Sequence, residues 1–294
     1  QCAARRLASR CPAHRRAQAF GEDPKWNAMN QNRNIKRNIV IYVIGVLFLA
    51  TIGGVITASG NEIGGLIFIV SPMLMMVLLR FFGGDGWKDA GLRPNIKESW
   101  HWYLFSLFVY PIVMTMVIML GVMSGVTQMN GDLNSLLPLF IAGFAVQLMP
   151  RMIFAVFEEW GWRGYLEPRL VALGVPDLRR HIFVGAVWAL WHFPLVLSTA
   201  YTEIPYAIFF PLFVVAIIVT AIVYGQLREA SGTVWTSVVM HGIGNAFGWA
   251  IIQNDLLTVN NKLLANPTPE SIVSIVMMSL LGWWMLYKRK TKVH

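Results

Sequence analysis

The chain has 294 residues, of which 56% are hydrophobic and only 13% are charged, and its formal net charge is +9. Because charged residues make up roughly a quarter of an ordinary soluble domain, this composition excludes such a domain and predicts a polytopic membrane protein. The basic balance is typical of cytoplasmic loops, and no nucleic-acid-binding motif is present. Both cysteines, Cys2 and Cys11, lie near the N-terminus, which excludes a disulfide or a cysteine-rich metal site in the hydrophobic body.

The first 28 residues differ from the rest of the chain. They are rich in Arg and Ala and lack the apolar core of a secretory signal. They resemble a transit peptide, or they are a non-native extension before Met29, whose following sequence is typical of a bacterial N-terminus; we favour the extension. In both cases we expect residues 1–28 to be disordered and residues 29–294 to form a single membrane domain.

Eight apolar segments follow. A bilayer core of about 30 Å needs about 20 apolar residues per helix, and the candidate spans are 38–58, 63–80, 102–124, 137–158, 182–199, 206–225, 233–252 and 271–287. The seventh is the weakest, because His241, Asn245 and Gln253 interrupt it. Polar interruptions are expected where a span lines a hydrated cavity.

The connections between these segments alternate in charge. Basic residues such as Arg80 and Arg228 follow the second and sixth spans, whereas Glu62, Asp132 and Glu203 follow the first, third and fifth. By the positive-inside rule, the Arg-rich connections and both termini are cytoplasmic. We therefore expect an all-α fold, a polytopic membrane helix bundle of about eight transmembrane helices.

Three groups of polar residues at helical spacing lie within or beside the apolar segments: Glu158-Glu159-xxx-Arg163, Trp188-xxx-His192 and His241-xxx-Asn245. Residues four apart share one face of a helix. Ionisable groups at membrane depth are energetically costly, so they usually mark a functional site.

The predicted topology brings these groups to a similar depth. Glu158 and Glu159 lie near the cytoplasmic end of the fourth span. His192 lies about 15 Å and His241 about 12 Å from the cytoplasmic ends of their spans, at 1.5 Å per residue. We therefore expect a single pocket in the cytoplasmic half of the bilayer.

These residue types favour hydrolysis of an amide. A carboxylate beside a histidine can remove a proton from water. Arg163 lies one turn beyond Glu159 and can pair with it, which leaves Glu158 as the freer general base. His241 and Asn245 can donate hydrogen bonds to an oxyanion. The bundle contains no serine or cysteine nucleophile motif.

Other interpretations stay open. Glu158, His192 and His241 would also form a catalytic zinc set with an open water position, although no His-Glu-x-x-His motif occurs. Each group alone could be structural, as a helix-end ion pair, a core histidine or an interhelical hydrogen bond. A proton-coupled transporter would use the same residue types, but the chain shows no pair of matching broken helices.

The three groups resemble the motifs of the CPBP family, which comprises the CAAX proteases and bacteriocin-processing (Abi-like) enzymes. The family pattern is Glu-Glu-xxx-Arg, then Phe-xxx-His, then His-xxx-Asn. The first and third motifs match it at Glu158 and His241, and Trp188 replaces the phenylalanine of the second. The resemblance covers about residues 135–250.

The resemblance implies an intramembrane endopeptidase that acts on a peptide or membrane-protein substrate among lipids, and the bacterial-type sequence after Met29 favours a bacterial inner membrane. It implies these roles: Glu158 activates water with His192, Glu159 and Arg163 support the site, and His241 and Asn245 hold the oxyanion. The family is often described as metalloproteases, but a metal-free glutamate mechanism has also been argued, so zinc stays open. A non-catalytic bacteriocin-immunity or regulatory protein on the same scaffold is the alternative.

Overall fold

A computed structural model describes residues 24–199 and 201–290. Its helices are α1 Pro24–Ala58, α2 Ile63–Phe82, α3 Ile96–Met123, α4 Leu133–Gly161, α5 Glu167–Ala172, α6 Asp177–Ser198, α7 Tyr206–Ser231, α8 Trp235–Gln253, α9 Lys262–Ala265 and α10 Ile272–Lys290. A π-helical turn, Trp162–Leu166, joins α4 to α5. Most of the segment predicted to be disordered, residues 1–28, lies outside the described residues; residues 24–28 belong to α1.

Within the part of the chain that the structure describes, six helices are long and apolar enough to cross a membrane: α1, α2, α3, α4 with its continuation to Ala172, α6 and α7. The prediction of an all-α polytopic membrane bundle is therefore confirmed. Helices α8 and α10 are 19 residues long but less apolar, and α8 contains His241 and Asn245. The count of eight spans stays a prediction, since it depends on these two helices.

Contacts between the connections define two ends of the bundle. At the first end, Asn38 in α1 donates a hydrogen bond to the carbonyl of Gly83 after α2 (2.9 Å), and Ser99 in α3 donates to the carbonyl of Ser231 in α7 (3.0 Å). We call this the Arg-rich end; it also holds the α5–α6 connection. The opposite, acidic end holds the α1–α2, α3–α4, α6–α7 and α8–α10 connections.

The acidic end contains a short two-stranded ribbon that the sequence analysis did not predict. Strand β1 (Thr127–Met129) pairs antiparallel with β2 (Leu257–Val259), and Gln128 lies opposite Thr258. Strands of three residues are too short to show the alternation of apolar and polar residues that predicts a strand. The ribbon ties the α3–α4 connection to the segment after α8.

Helix α6 begins at Asp177, five residues before the predicted span. The apolar pattern alone did not include Arg180 and His181, yet both are buried inside this helix. The cost of burying these two polar side chains is offset by their contacts with the carboxylate of Glu167. His192 consequently lies in the second half of α6 instead of near its middle.

An aromatic layer holds the π-helical turn in place. Trp162 packs edge-on against Tyr42 of α1 and against Trp191 of α6, with ring centroids 6.0 and 5.8 Å apart. Trp191 in turn stacks on Phe68 of α2 at 3.9 Å. These rings are buried, so they lock the turn after Glu158 and Glu159 against three helices and fix where the two carboxylates point.

Candidate active site

Glu158 and Glu159 lie at the end of α4, and both side chains are buried. Adjacent residues on a helix point in directions about 100° apart, so the two carboxylates have different neighbours. One oxygen of Glu159 contacts Arg163 and His241. Glu158 instead borders a cavity and accepts a hydrogen bond from the indole of Trp188.

Arg163 lies within the π-helical turn and is fully buried. Its Nη1 donates to Oε1 of Glu159 at 3.1 Å, the pairing that the spacing of the two residues predicts. Its guanidinium also lies against the rings of Trp188 and Tyr224, at 4.4 and 4.6 Å from their centroids. π-Helical turns frequently occur at functional sites, and this one places a cation directly behind the two glutamates.

His241 bridges the two glutamates. Its Nδ1 lies 2.8 Å from Oε1 of Glu159, and its Nε2 lies 3.7 Å from Oε1 of Glu158. A carboxylate only accepts hydrogen bonds, so Nδ1 carries the hydrogen in this contact whenever Glu159 is ionised. Nε2 then faces Glu158 and can share a proton with it.

Two glycines next to His241 allow α8 to approach its neighbours closely. A Cβ atom at Gly242 would collide with Met152 of α4, and one at Gly244 would collide with the ring of Tyr110 of α3. A side chain at Gly242 would push α8 away from α4, and one at Gly244 would push it away from α3. The contact between His241 and the glutamates therefore depends on small residues in the third motif.

His192 and Trp188, both on α6, line the same cavity as Glu158. Nδ1 of His192 lies 2.8 Å from the carbonyl oxygen of Trp188. The carbonyl can only accept, so Nδ1 donates and Nε2 is left as a proton acceptor. The indole ring of Trp188 lies between His192 and His241, with centroid separations of 6.1 and 5.7 Å.

The indole nitrogen of Trp188 donates to Oε2 of Glu158 at 2.9 Å. A phenylalanine, the residue of the resembled pattern, has no such donor. The replacement of phenylalanine by Trp188 thus adds a hydrogen bond to the carboxylate that borders the cavity, an effect on the site that the sequence alone did not reveal.

The cavity at this site, which we call the site cavity, has a volume of about 540 Å³. Glu158, His192, His241 and Asn245 all border it, so the structure brings four of the six predicted residues to one space. Glu159 and Arg163 are not among its lining residues and lie behind the other two.

The site cavity extends a long way from Glu158. Its lining includes Glu62, Tyr201 and Pro269, which belong to connections or a helix start at the acidic end. Glu158 and His241, by contrast, lie in the parts of α4 and α8 nearer the Arg-rich end. The cavity therefore spans much of the bundle.

The predicted metal ligands do not converge as a set. Among the described residues, the one group of three histidine or carboxylate side chains whose donor atoms all lie within 4.8 Å of one another is Glu167, His181 and Glu229. Glu158, His192 and His241 do not meet that distance. Zinc binding by these three residues therefore stays a prediction, and the chemistry below is derived from the side chains themselves.

The group found instead was not singled out in the sequence. Together with Arg180 it forms what we call the closed cluster: Glu167, Arg180, His181 and Glu229. Nδ1 of His181 lies 2.9 Å from Oε1 of Glu167, and Arg180 pairs with both Glu167 and Glu229. None of these residues lines the site cavity.

The sequence analysis also did not single out Arg151, which the structure places at the site cavity. It borders the site cavity two helical turns before Glu158 on α4. It was a charged residue within the predicted span 137–158 and carried the same signal as the three motifs, an ionisable group at membrane depth.

Fold and site together define a class: a polytopic membrane helix bundle with a buried carboxylate, histidine and arginine cluster beside a large internal cavity. Buried ionisable groups that converge on one space are the features expected of an enzyme active site. The site is built by α4, α6 and α8, the helices that contain the three motifs.

Comparisons with known proteins agree with this class. Residues 142–247 match the family model described as type II CAAX prenyl endopeptidase Rce1-like. The CAAX prenyl protease 2 of Methanococcus maripaludis is 29% identical over 121 residues, which cover 37% of this chain and 42% of that relative. The match thus spans less than half of the relative's length. Both findings agree with the resemblance of the three motifs to the CPBP family.

Proposed function

We propose that this protein is an intramembrane endopeptidase that hydrolyses a peptide bond with a water molecule activated by Glu158 and His192. The observation that carries the proposal is that Glu158, His192, His241 and Asn245 border one cavity. That arrangement supplies a general base and hydrogen-bond donors around a space large enough for a peptide segment. The alternative of a non-catalytic immunity protein would not require it.

Glu158 is the proposed general base. It borders the cavity, whereas Glu159 lies behind it and is engaged by Arg163 and His241. His192 is proposed to help, because its Nδ1 is occupied by the carbonyl of Trp188 and its Nε2 is left to accept a proton. General-base catalysis of this kind contributes about 10²- to 10⁴-fold to a rate.

His241 and Asn245 are the proposed oxyanion donors. Asn245 is partly buried at the cavity wall and makes no side-chain hydrogen bond to another described residue, so its amide is available to substrate. A doubly protonated His241 would donate through Nε2 while Nδ1 donates to Glu159. With Glu158 and Glu159 ionised, the charges of Arg163 and His241 balance theirs.

The reaction has two steps. Glu158 takes a proton from water while the oxygen attacks the scissile carbonyl carbon, and His241 and Asn245 stabilise the resulting oxyanion. The carbon–nitrogen bond then breaks, and protonated Glu158 returns its proton to the leaving nitrogen. The products are a new carboxyl group and a free amine, and Glu158 is restored to its starting state.

The proposed substrate is a peptide or a membrane-protein segment that enters the site cavity among lipids. By the positive-inside rule the Arg-rich end is cytoplasmic, and the proposal places the reaction in that half of the bilayer, in a bacterial inner membrane. The relative's name refers to CAAX prenyl proteins; whether prenylated peptides are cleaved is one arm of the test.

The test is cleavage of quenched-fluorescence peptides, prenylated and unprenylated, by purified protein in detergent. We expect wild type to cleave, Glu158→Gln to lose about a thousandfold or more in kcat, and Glu167→Gln, in the closed cluster, to retain its rate. Equal cleavage by Glu158→Gln would overturn the assignment. Loss of activity on chelation, restored by zinc, would replace the metal-free mechanism with a zinc-dependent one.

A further inference from the structure

We propose that Arg228 is a positioning residue of the active site: its guanidinium holds the carbonyl of Arg163 and so fixes the π-helical turn that presents Arg163 to Glu159. This inference rests on the proposed function and adds a residue that lies outside the three motifs. Arg228 does not line the site cavity, so it acts through the backbone of the turn and not on the substrate.

The π-helical turn contains backbone carbonyls that lose their helical donor. Within the turn, the N–H of Glu167 donates to the carbonyl of Trp162, five residues earlier. The next residue, Pro168, has no N–H. Position 168 would supply the donor to Arg163 in the π register and to Gly164 in the α register. Both carbonyls lose that donor, and a buried carbonyl without a partner is unfavourable.

Arginines from two other helices supply the missing donors. Nε of Arg228, on α7, donates to the carbonyl of Arg163 at 3.3 Å. Nη2 of Arg80, on α2, donates to the carbonyl of Gly164 at 2.5 Å. The two carbonyls that Pro168 deprives of a donor are therefore the two that receive a guanidinium. Packing alone does not require this agreement.

The α2–α3 connection fixes the position of the Arg228 side chain. Nη2 of Arg228 donates to the carbonyl of Asp89 at 3.1 Å, and a Cβ atom at Gly91 would collide with the guanidinium. Gly91 also has a φ of 67°, a conformation that favours glycine. Among the described residues Arg228 forms no ion pair, so its donors serve backbone carbonyls.

Arg228 stabilises the π register over the ordinary helical one. In an α-helix the carbonyl of Arg163 would accept from the N–H of Glu167, four residues later. Without Arg228 this carbonyl regains a partner when that N–H moves to it, and the turn becomes α-helical. The conversion would change the direction of the Arg163 side chain relative to Glu159, its partner at 3.1 Å. Glu159 also contacts His241 at 2.8 Å, so the change reaches the wall of the site cavity.

The first measurement is the kinetics of Arg228→Met, which keeps an apolar stem but has no donor. We expect kcat for the quenched-fluorescence peptide to fall about 10- to 100-fold, the size of one hydrogen bond to a charged group. KM should stay within about threefold, because Arg228 does not line the site cavity. Arg228→Lys keeps a charged donor and should recover part of the loss. An unchanged kcat in Arg228→Met would overturn the inference, whereas no cleavage by wild type would overturn the proposed function itself.

Pro168→Ala is the second variant, since it gives the helix an N–H five residues after Arg163. Combined with Arg228→Met, this N–H can replace the lost guanidinium, and we expect kcat to rise about tenfold above that of Arg228→Met. A double variant as slow as Arg228→Met would contradict the inference. If Arg228→Met yields no folded protein, folded protein in the double variant supports the inference, and its absence overturns it.

Arg169→Met is the matched control. Arg169 is buried close to the same turn, but it pairs with the carboxylates of Asp85 and Asp89. Pro168→Ala should therefore leave the kcat and the thermal stability of Arg169→Met unchanged. Recovery of both arginine variants by Pro168→Ala would show a general gain in stability and would overturn the role of Arg228.

Discussion

The two buried clusters of the bundle contain the same types of side chain in different surroundings. In the first, Glu158, Glu159, Arg163 and His241 lie beside the site cavity. In the closed cluster, Glu167, Glu229, Arg180 and His181 make equally short contacts but none of them lines that cavity. Residue type and burial thus do not distinguish an active site from a structural network.

The difference lies in what remains unpaired. In the closed cluster, arginines pair with both carboxylates, Arg289 adds a second cation at Glu229, and Gln226 contacts Nε2 of His181. In the first cluster, Arg163 engages only Glu159, and Glu158 faces the cavity. A carboxylate with a neutral donor and an open side can exchange a proton with water, whereas one surrounded by cations cannot do so easily.

The largest expected effect is a difference in kcat between a variant of His192, which lines the site cavity, and a variant of His181, which lies in the closed cluster. His192→Gln removes the proton acceptor at the cavity and should lower kcat by about 100-fold or more. His181→Gln changes the closed cluster and should leave the rate per folded molecule within about threefold of wild type, because His181 does not line the cavity. Similar rates for the two variants would remove the basis of the comparison. Peptide cleavage, normalised to folded protein, measures both.

The two arginines should differ in stability as well as activity. Arg163→Ala leaves the buried Glu159 with His241 alone, a histidine that it shares with Glu158, and this should lower the free energy of unfolding by about 3–5 kcal/mol. Arg180→Ala should destabilise less, because Glu229 keeps Arg289 and Glu167 keeps His181. Thermal unfolding in detergent gives the order, and the opposite order would contradict the ion-pair arrangement.

A smaller effect is expected from the indole donor to Glu158. Trp188→Phe keeps the aromatic packing but loses the 2.9 Å hydrogen bond, and we expect about a 5- to 10-fold change in kcat from a bond worth about 1 kcal/mol. Gln226→Met removes the comparable contact to His181 and serves as the control with unchanged kcat. An unaltered rate in Trp188→Phe would show that this bond does not tune the base.

Much of the architecture followed from the sequence because apolar length and loop charge directly report on membrane crossing. The three motifs also located Glu158, His192, His241 and Asn245, since ionisable residues at helical spacing stand out in an apolar chain. The sequence could not show that Glu159 faces away from the cavity, because that depends on how α4 is rotated against its neighbours. It also did not reveal the π-helical turn at Arg163, which depends on tertiary packing.

Other features required long-range contacts. The closed cluster joins residues from α5, α6 and α7 that have no shared spacing, so no local pattern predicts it. The role of Trp188 as a donor depends on the position of Glu158, 30 residues earlier in the chain. Zinc binding by Glu158, His192 and His241 stays a prediction: residue types suggested the set, and the structure leaves the three donors farther apart than 4.8 Å from one another.

A double-mutant cycle on Glu158 and His192 tests most directly the claim that these side chains act on one water molecule. The rates of Glu158→Gln, His192→Gln and the double variant are compared with wild type on one peptide under single-turnover conditions. Residues that act as a unit give strongly non-additive losses, so we predict that the double variant is no slower than Glu158→Gln. A double variant slower by the product of the two single losses would show that the residues act independently and would contradict the account.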